Sequence, residues 1–75
     1  MTPQEFRETR KRLRLTQAEL GEALGLGTST VALYERGYRM DREREPVEIP
    51  KTVRLAMAAL VLGVKDYAGG EPVRP

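Results

Sequence analysis

The pattern Thr-x-x-Glu occurs twice near the start of the chain, at Thr2-Pro3-Gln4-Glu5 and at Thr16-Gln17-Ala18-Glu19. In each, the threonine hydroxyl can accept the backbone N–H three residues on, and the glutamate can reach back to the threonine N–H. Such a reciprocal cap fixes where a helix begins, and two caps this close together confine the first helix to a short segment. Pro3 suits a first turn, where its missing N–H has no helical partner in any case. The first helix is therefore expected from about Pro3 to Leu13, and the second from its Thr16 cap to about Leu24. Gly25, free to turn left-handed, ends the second. A third helix is expected from Thr28 to Arg36 with Gly37 as its stop; Gly27, Thr28 or Ser29 can each serve as its cap. Tyr38 to Ile49 is polar, charged and broken by Pro46, and reads as an extended loop. Pro50 then opens a fourth helix, Lys51 to Leu62, which Gly63 ends. No segment alternates like a strand, so the fold class is all-α. Residues 1–65 form the domain, and 66–75, with two glycines and two prolines, read as a flexible C-terminal tail.

A chain of 75 residues makes one domain with a small core, which burial against a second copy would reinforce. It has no cysteine and no histidine. Disulfides, thiolate metal sites and the usual imidazole base and ligand are therefore excluded. There is no phosphate-binding loop and no convergent carboxylate pair. No catalytic residue, cofactor or metal ligand is assigned, and an enzyme is not expected. No apolar run is long enough for a signal peptide or a membrane span, so a cytoplasmic protein is expected.

The net charge is only +2, but it is unevenly placed. Arg7, Arg10, Lys11, Arg12 and Arg14 cluster before the second helix, and Arg36, Arg39, Arg42 and Arg44 cluster after the third, diluted by Asp41, Glu43 and Glu45. Local basic patches govern phosphate binding more than the total does; the alternative is a plain solvated face.

At about 100° per residue the third helix divides into two arcs. Val31 and Tyr34, with Thr30 and Glu35, share the arc that must face Leu20 and Leu24 of the second helix. Thr28, Ser29, Ala32, Leu33 and Arg36 share the other, which is presented outward. Small side chains let a helix approach base edges, hydroxyls bond to several bases, and Leu33 can meet a thymine methyl; the same residues also make an ordinary solvated face. In the first helix Arg10 shares a stripe with Phe6 and Leu13. Arg10 and Glu35 thus both point at the core, where each needs a partner. Pairing across the first and third helices is expected, the alternative being that both extend to water.

Thr16-Gln17-Ala18-Glu19-Leu20, Leu24-Gly25, Thr30-Val31 and Tyr34-Glu35-Arg36-Gly37 together resemble the XRE family of helix-turn-helix regulators, the lambda-repressor-like and Cro-like proteins. The likeness covers residues 3 to 37 well and the fourth helix loosely; a fifth helix of larger members has no counterpart. It implies a compact four-helix domain in which the second and third helices form the helix-turn-helix. It implies that Gln17 bonds to a phosphate, that Thr28, Ser29, Ala32 and Leu33 face bases in the major groove, and that Thr30 lies nearer the phosphate edge. Arg36 and Arg39 would touch the backbone, and Arg10 and Glu35 occupy the positions of a structural ion pair. The chain departs from the pattern in three places. Gly27 stands where a polar cap is usual, the reading face lacks the common glutamine, arginine or lysine, and the segment from Gly37 to Pro50 is long. That segment either reaches DNA with Arg39, Arg42 and Arg44 or serves as a spacer.

The fourth helix carries two apolar sides. Val53, Ala56, Met57, Leu60 and Val61 lie on one, which suffices to close the core. Leu55, Ala58, Ala59 and Leu62 lie on the other and are assigned to a homodimer interface about a twofold axis, unless Val64, Tyr67 and the tail fold back over them. A dimer would set two reading helices about 34 Å apart on an inverted repeat in double-stranded DNA. The expected function is a sequence-specific transcriptional regulator, a small repressor that blocks its operator and, as the resemblance implies, regulates its own operon in a phage or mobile element. It would be cytoplasmic and associated with the nucleoid when bound. The competing reading is an antitoxin-type interaction module with secondary DNA binding.

Overall fold

Both Thr-x-x-Glu segments fold as reciprocal caps. In the computed structural model, which describes residues 1–41 and 43–67, Glu5 N donates to Thr2 Oγ1 at 3.0 Å while Thr2 N donates to Glu5 Oε1 at 2.7 Å. Thr16 and Glu19 repeat the exchange at 3.1 and 2.8 Å. The helices that follow are α1, Pro3–Arg12, and α2, Gln17–Leu24. Then come α3, Thr28–Arg36, and α4, Lys51–Val61. Between α1 and α2 the chain reverses through Arg14, a non-glycine residue at φ 61°. Gly27 is the N-cap of α3 and supplies no side-chain acceptor.

Two glycines are required by space as well as by conformation. Gly37 closes α3 at φ 86°, and a Cβ there would stand 2.6 Å from Pro3 Cγ, so the end of α3 packs on the start of α1. Gly21 lies buried inside α2, where a Cβ would stand 2.6 Å from the Leu26 carbonyl oxygen. That close approach lets Leu26 N donate to Gly21 O at 2.7 Å and makes the turn into α3 tight.

All four helices contribute to one core. Phe6, Leu20, Val31, Tyr34, Val53 and Met57 are buried together with Ile49, and Leu15, Leu24, Leu26, Val47 and Leu60 pack around them. Phe6 meets Tyr34 edge-on, with centroids 5.8 Å apart. Phe6, Leu20, Val31 and Met57 are the largest fully buried side chains, each contributing about 1.5–3 kcal/mol over an exposed position.

Three expectations change on folding. Val61, assigned to the core side of α4, is 52% exposed. At about 100° per residue Val61 lies at the edge of the arc centred on Val53, Met57 and Leu60, on the side of exposed Arg54, whereas Ala56, Ala59 and Leu60 face Leu24 across a groove. The segment after α3 is not a plain extended loop. Tyr38 and Pro46 form an antiparallel bridge, Arg39 N donates to Glu45 O at 2.8 Å, and Val47 N donates to Gly37 O at 3.0 Å. Glu43 and Arg44, at φ 37° and 53°, turn its far end. Its return leg then places Ile49 in the core. Thr30, grouped by the wheel with the buried arc, is half-buried at the edge of the outward surface.

Val64 and Tyr67 line a groove with Ala23, Leu24, Ala56, Ala59 and Leu60. They border Ala59 but leave Leu55 and Leu62 at 59% and 80% exposure. Most of the expected tail, residues 68–75, lies outside the described residues.

Candidate DNA-binding surface

The surface of interest is a consequence of how α3 is buried. Val31 and Tyr34 point into the core, and 3.6 residues per turn then send Thr28, Ser29, Ala32, Leu33 and Arg36 outward. Thr28, Ser29 and Arg36 are exposed; Ala32 and Leu33 are half-buried. Ser29, Thr30, Leu33 and Arg36 form one wall of a shallow open groove, and Arg39, Met40 and Asp41 of the following hairpin form the other. Met40 was not singled out in the sequence. The cue would have been an apolar residue in an otherwise charged loop.

Behind α3 lies the network that holds it. Arg10 Nε donates to Glu35 Oε2 at 2.5 Å and its Nη2 donates to Glu35 Oε1 at 3.1 Å. Arg10 Nη1 donates to the Leu15 carbonyl at 2.9 Å, and Gln17 Nε2 donates to Glu35 Oε1 at 3.3 Å. One guanidinium therefore ties α1 to the α1–α2 turn and to α3, while Glu35 also receives α2. The hydrogen bond to Glu35 outweighs burial and holds the Arg10 guanidinium's pKa above its ordinary value. No side-chain nitrogen or oxygen among the described residues is buried without a partner.

Gln17, the first residue of α2, spends one amide N–H on Glu35 and carries a second. Its side chain is half-buried, with one amide N–H turned to the internal network. Arg36 is anchored: its Nε donates to the Tyr38 carbonyl at 2.8 Å, and its guanidinium lies 5.6 Å from the Tyr38 ring centroid. Arg39 is exposed on the hairpin. Among the described residues the one ion pair is Arg10–Glu35, so Arg36, Arg39 and Arg44 have no carboxylate in salt-bridge contact. Arg42 lies outside the described residues. In α1, Arg10 is used internally, whereas Arg7, Lys11 and Arg12 are exposed.

Leu55, Ala58 and Leu62 lie bare on α4, whereas Ala59 is half-buried in the groove beside Leu24. No group of three or more acidic side chains among the described residues is arranged to hold a metal ion. No described helix is long and apolar enough to cross a membrane.

Chemically, a helix face with small hydroxyl-bearing side chains and unpaired cations at its end can do two things. The hydroxyls and Leu33 can meet base edges, and the guanidiniums can bind phosphodiester oxygens, which set register without reading sequence. Comparison with protein families finds one match that covers this arrangement: residues 6–40 fit the model described as Helix-turn-helix. No curated protein and no solved structure matches the chain. The matched span runs from Phe6 through the capped α2, the Gly25 turn and α3 to the first residues of the hairpin. Residues 6–40 are thus similar to a helix-turn-helix family, and the match supports the expected XRE-like, lambda-repressor-like arrangement and a DNA-binding transcriptional regulator.

Proposed function

We propose that the protein is a sequence-specific repressor that binds an inverted-repeat operator as a homodimer, with α3 in the major groove, and acts by occluding the promoter. The observation that carries this reading is the outward arc of α3. Thr28 and Ser29 are exposed, Ala32 is small, and Arg36 stands at the end of the arc, tied to Tyr38. Ser29, Ala32 and Leu33 meet base edges, Thr30, Gln17, Arg36 and Arg39 meet the backbone, and Thr28 reads at the helix start. The apolar residues left bare on α4, Leu55, Ala58, Val61 and Leu62, support pairing of two copies. Ala59 joins that interface only at its edge, since it already borders Leu24. A small dimer of this kind suits autoregulation in a phage or mobile element, acting on DNA in the cytoplasm.

Selection of bound duplexes from random DNA tests the whole reading. An enriched palindrome with half-sites about one helical turn apart is the expected result. Recovery of no preferred sequence, with affinity equal to that for random duplex, would overturn it.

A further inference from the structure

The hairpin after α3 gathers two cations around one aromatic ring. The Arg36 guanidinium carbon lies 5.6 Å from the Tyr38 centroid and that of Arg44 lies 5.7 Å from it. Both distances are within the range at which a guanidinium is attracted to a ring face. Arg36 is further fixed by its hydrogen bond to the Tyr38 carbonyl. Arg44 is brought there by the far turn of the hairpin, where Glu43 and Arg44 both hold left-handed backbone that L-residues adopt at a cost. No described acid of the hairpin forms an ion pair with either arginine. Glu43 and Glu45 line a separate concavity with Pro46; Asp41 borders both that concavity and the α3 groove, and none of the three is in salt-bridge contact with a described arginine. Convergence of two like charges is unfavourable without a counter-ion. It also occurs beside the outward end of α3, since Arg36 belongs to both sites.

Resting on the proposed reading of α3 as the base-reading helix, we infer that Arg36 and Arg44 form a clamp for the phosphodiester backbone, with Tyr38 as its positioning residue. The hairpin is then a second DNA-contacting element, and Arg44, beyond the matched residues 6–40, is a contact of this chain's own. The ring holds both guanidiniums extended before DNA arrives. Two phosphate-directed cations therefore act from a preset geometry rather than as free surface charges.

The test uses the full chain, a duplex recovered by selection and a duplex of random sequence, with affinity followed by fluorescence anisotropy across a salt series. Removing one phosphate contact lowers the slope of log affinity against log salt by about one. Arg44→Met is expected to flatten the slope by about one and to weaken both duplexes by the same factor, with the thermal midpoint of the free protein recording any loss of fold. Tyr38→Leu is expected to weaken both duplexes severalfold, and Tyr38→Phe, which keeps the ring face, to bind as the parent does. If the parent binds its selected duplex and Arg44→Met leaves the slope unchanged, the clamp is refuted while the reading helix stands. Equal binding by Tyr38→Leu and Tyr38→Phe refutes the positioning role. If the parent binds no duplex at all, both the clamp and the reading on which it rests fall.

Discussion

Replacing Arg10 by methionine should destabilise the domain by about 3 kcal/mol, near the lower end of the 3–5 kcal/mol typical for breaking a buried ion pair. The lower end is chosen because the pair is not sealed: the side chains of Arg10 and Glu35 are 14% and 7% exposed. The substitution removes three donors together. Glu35 loses both guanidinium contacts and keeps only the Gln17 amide, and the Leu15 carbonyl loses the Nη1 hydrogen bond. Methionine replaces much of the arginine's aliphatic stem, so the loss reports on polar groups rather than on a large cavity. A small domain loses roughly 4–8 °C of melting temperature per kcal/mol, so the midpoint should fall by about 12–24 °C. Circular dichroism melts and urea titrations measure it. The double variant Arg10→Met, Glu35→Leu should recover a large part of the loss, because no charge is then left stranded in the core. A loss below about 1 kcal/mol for Arg10→Met, or a double variant that loses the sum of the two single ones, would refute the claim that this pair holds α3 against α1.

The other expectations concern single positions. The Thr2 N–H, and then its hydroxyl, hold the Glu5 carboxyl below the ordinary glutamate value. The stability this supplies is complete above that ordinary value and lost as pH falls through the depressed one. Thr2→Ala should move the Glu5 carboxyl titration, read by NMR, back upward. Gly21→Ala should destabilise despite alanine's better helix propensity, by about 2 kcal/mol or more in urea unfolding, since the new Cβ would stand 2.6 Å from the Leu26 carbonyl oxygen. Gly27→Ser should stabilise by about 0.5–1 kcal/mol, raising the melting midpoint, because the N-cap of α3 has β-region backbone and a Cβ there would meet nothing nearer than Ser29 Oγ at 3.8 Å. Leu62→Glu should shift the sedimentation mass from dimer to monomer without lowering helix content, since Leu62 is 80% exposed in the free chain.

What was legible in the sequence is what local chemistry decides. The helix starts at Thr2 and Thr16 and the stops at Gly25 and Gly37 depend on residues within a few positions of each other, and each lies where the pattern puts it. The outward arc of α3 was legible because Val31 and Tyr34 fix the inward one. Long-range placement was not. Val61 sits at the edge of the apolar arc of α4, and which side of an arc's edge finds a neighbour appears only in three dimensions. Ile49 was hidden because a two-residue alternation, Val47 and Ile49, is too short to stand out beside charged residues. The hairpin's charges read as a near-balance when counted. Folded, Arg44 turns to Tyr38 while Glu43 and Glu45 share a separate concavity, with Asp41 at the border between it and the α3 groove.

The residues that hold α3 in place are separate from the outward arc proposed to read DNA. Among the described residues, every side-chain hydrogen bond that ties α3 to another helix is accepted by Glu35, on the inward side. Val31 and Tyr34 supply its buried apolar contacts from that same side. Thr28 and Ser29 do not cap their own helix, since the N-cap is Gly27 and it uses no side chain. Changing the exposed hydroxyls therefore removes little that stabilises the fold, and surface substitutions of this kind stay within about 0.5 kcal/mol. Ser29→Ala should accordingly leave the melting curve in place while altering which duplexes are recovered from a random pool. A drop in stability as large as that of Arg10→Met would mean that Ser29 supports the fold, and that the stabilising and reading sides of α3 are not separate.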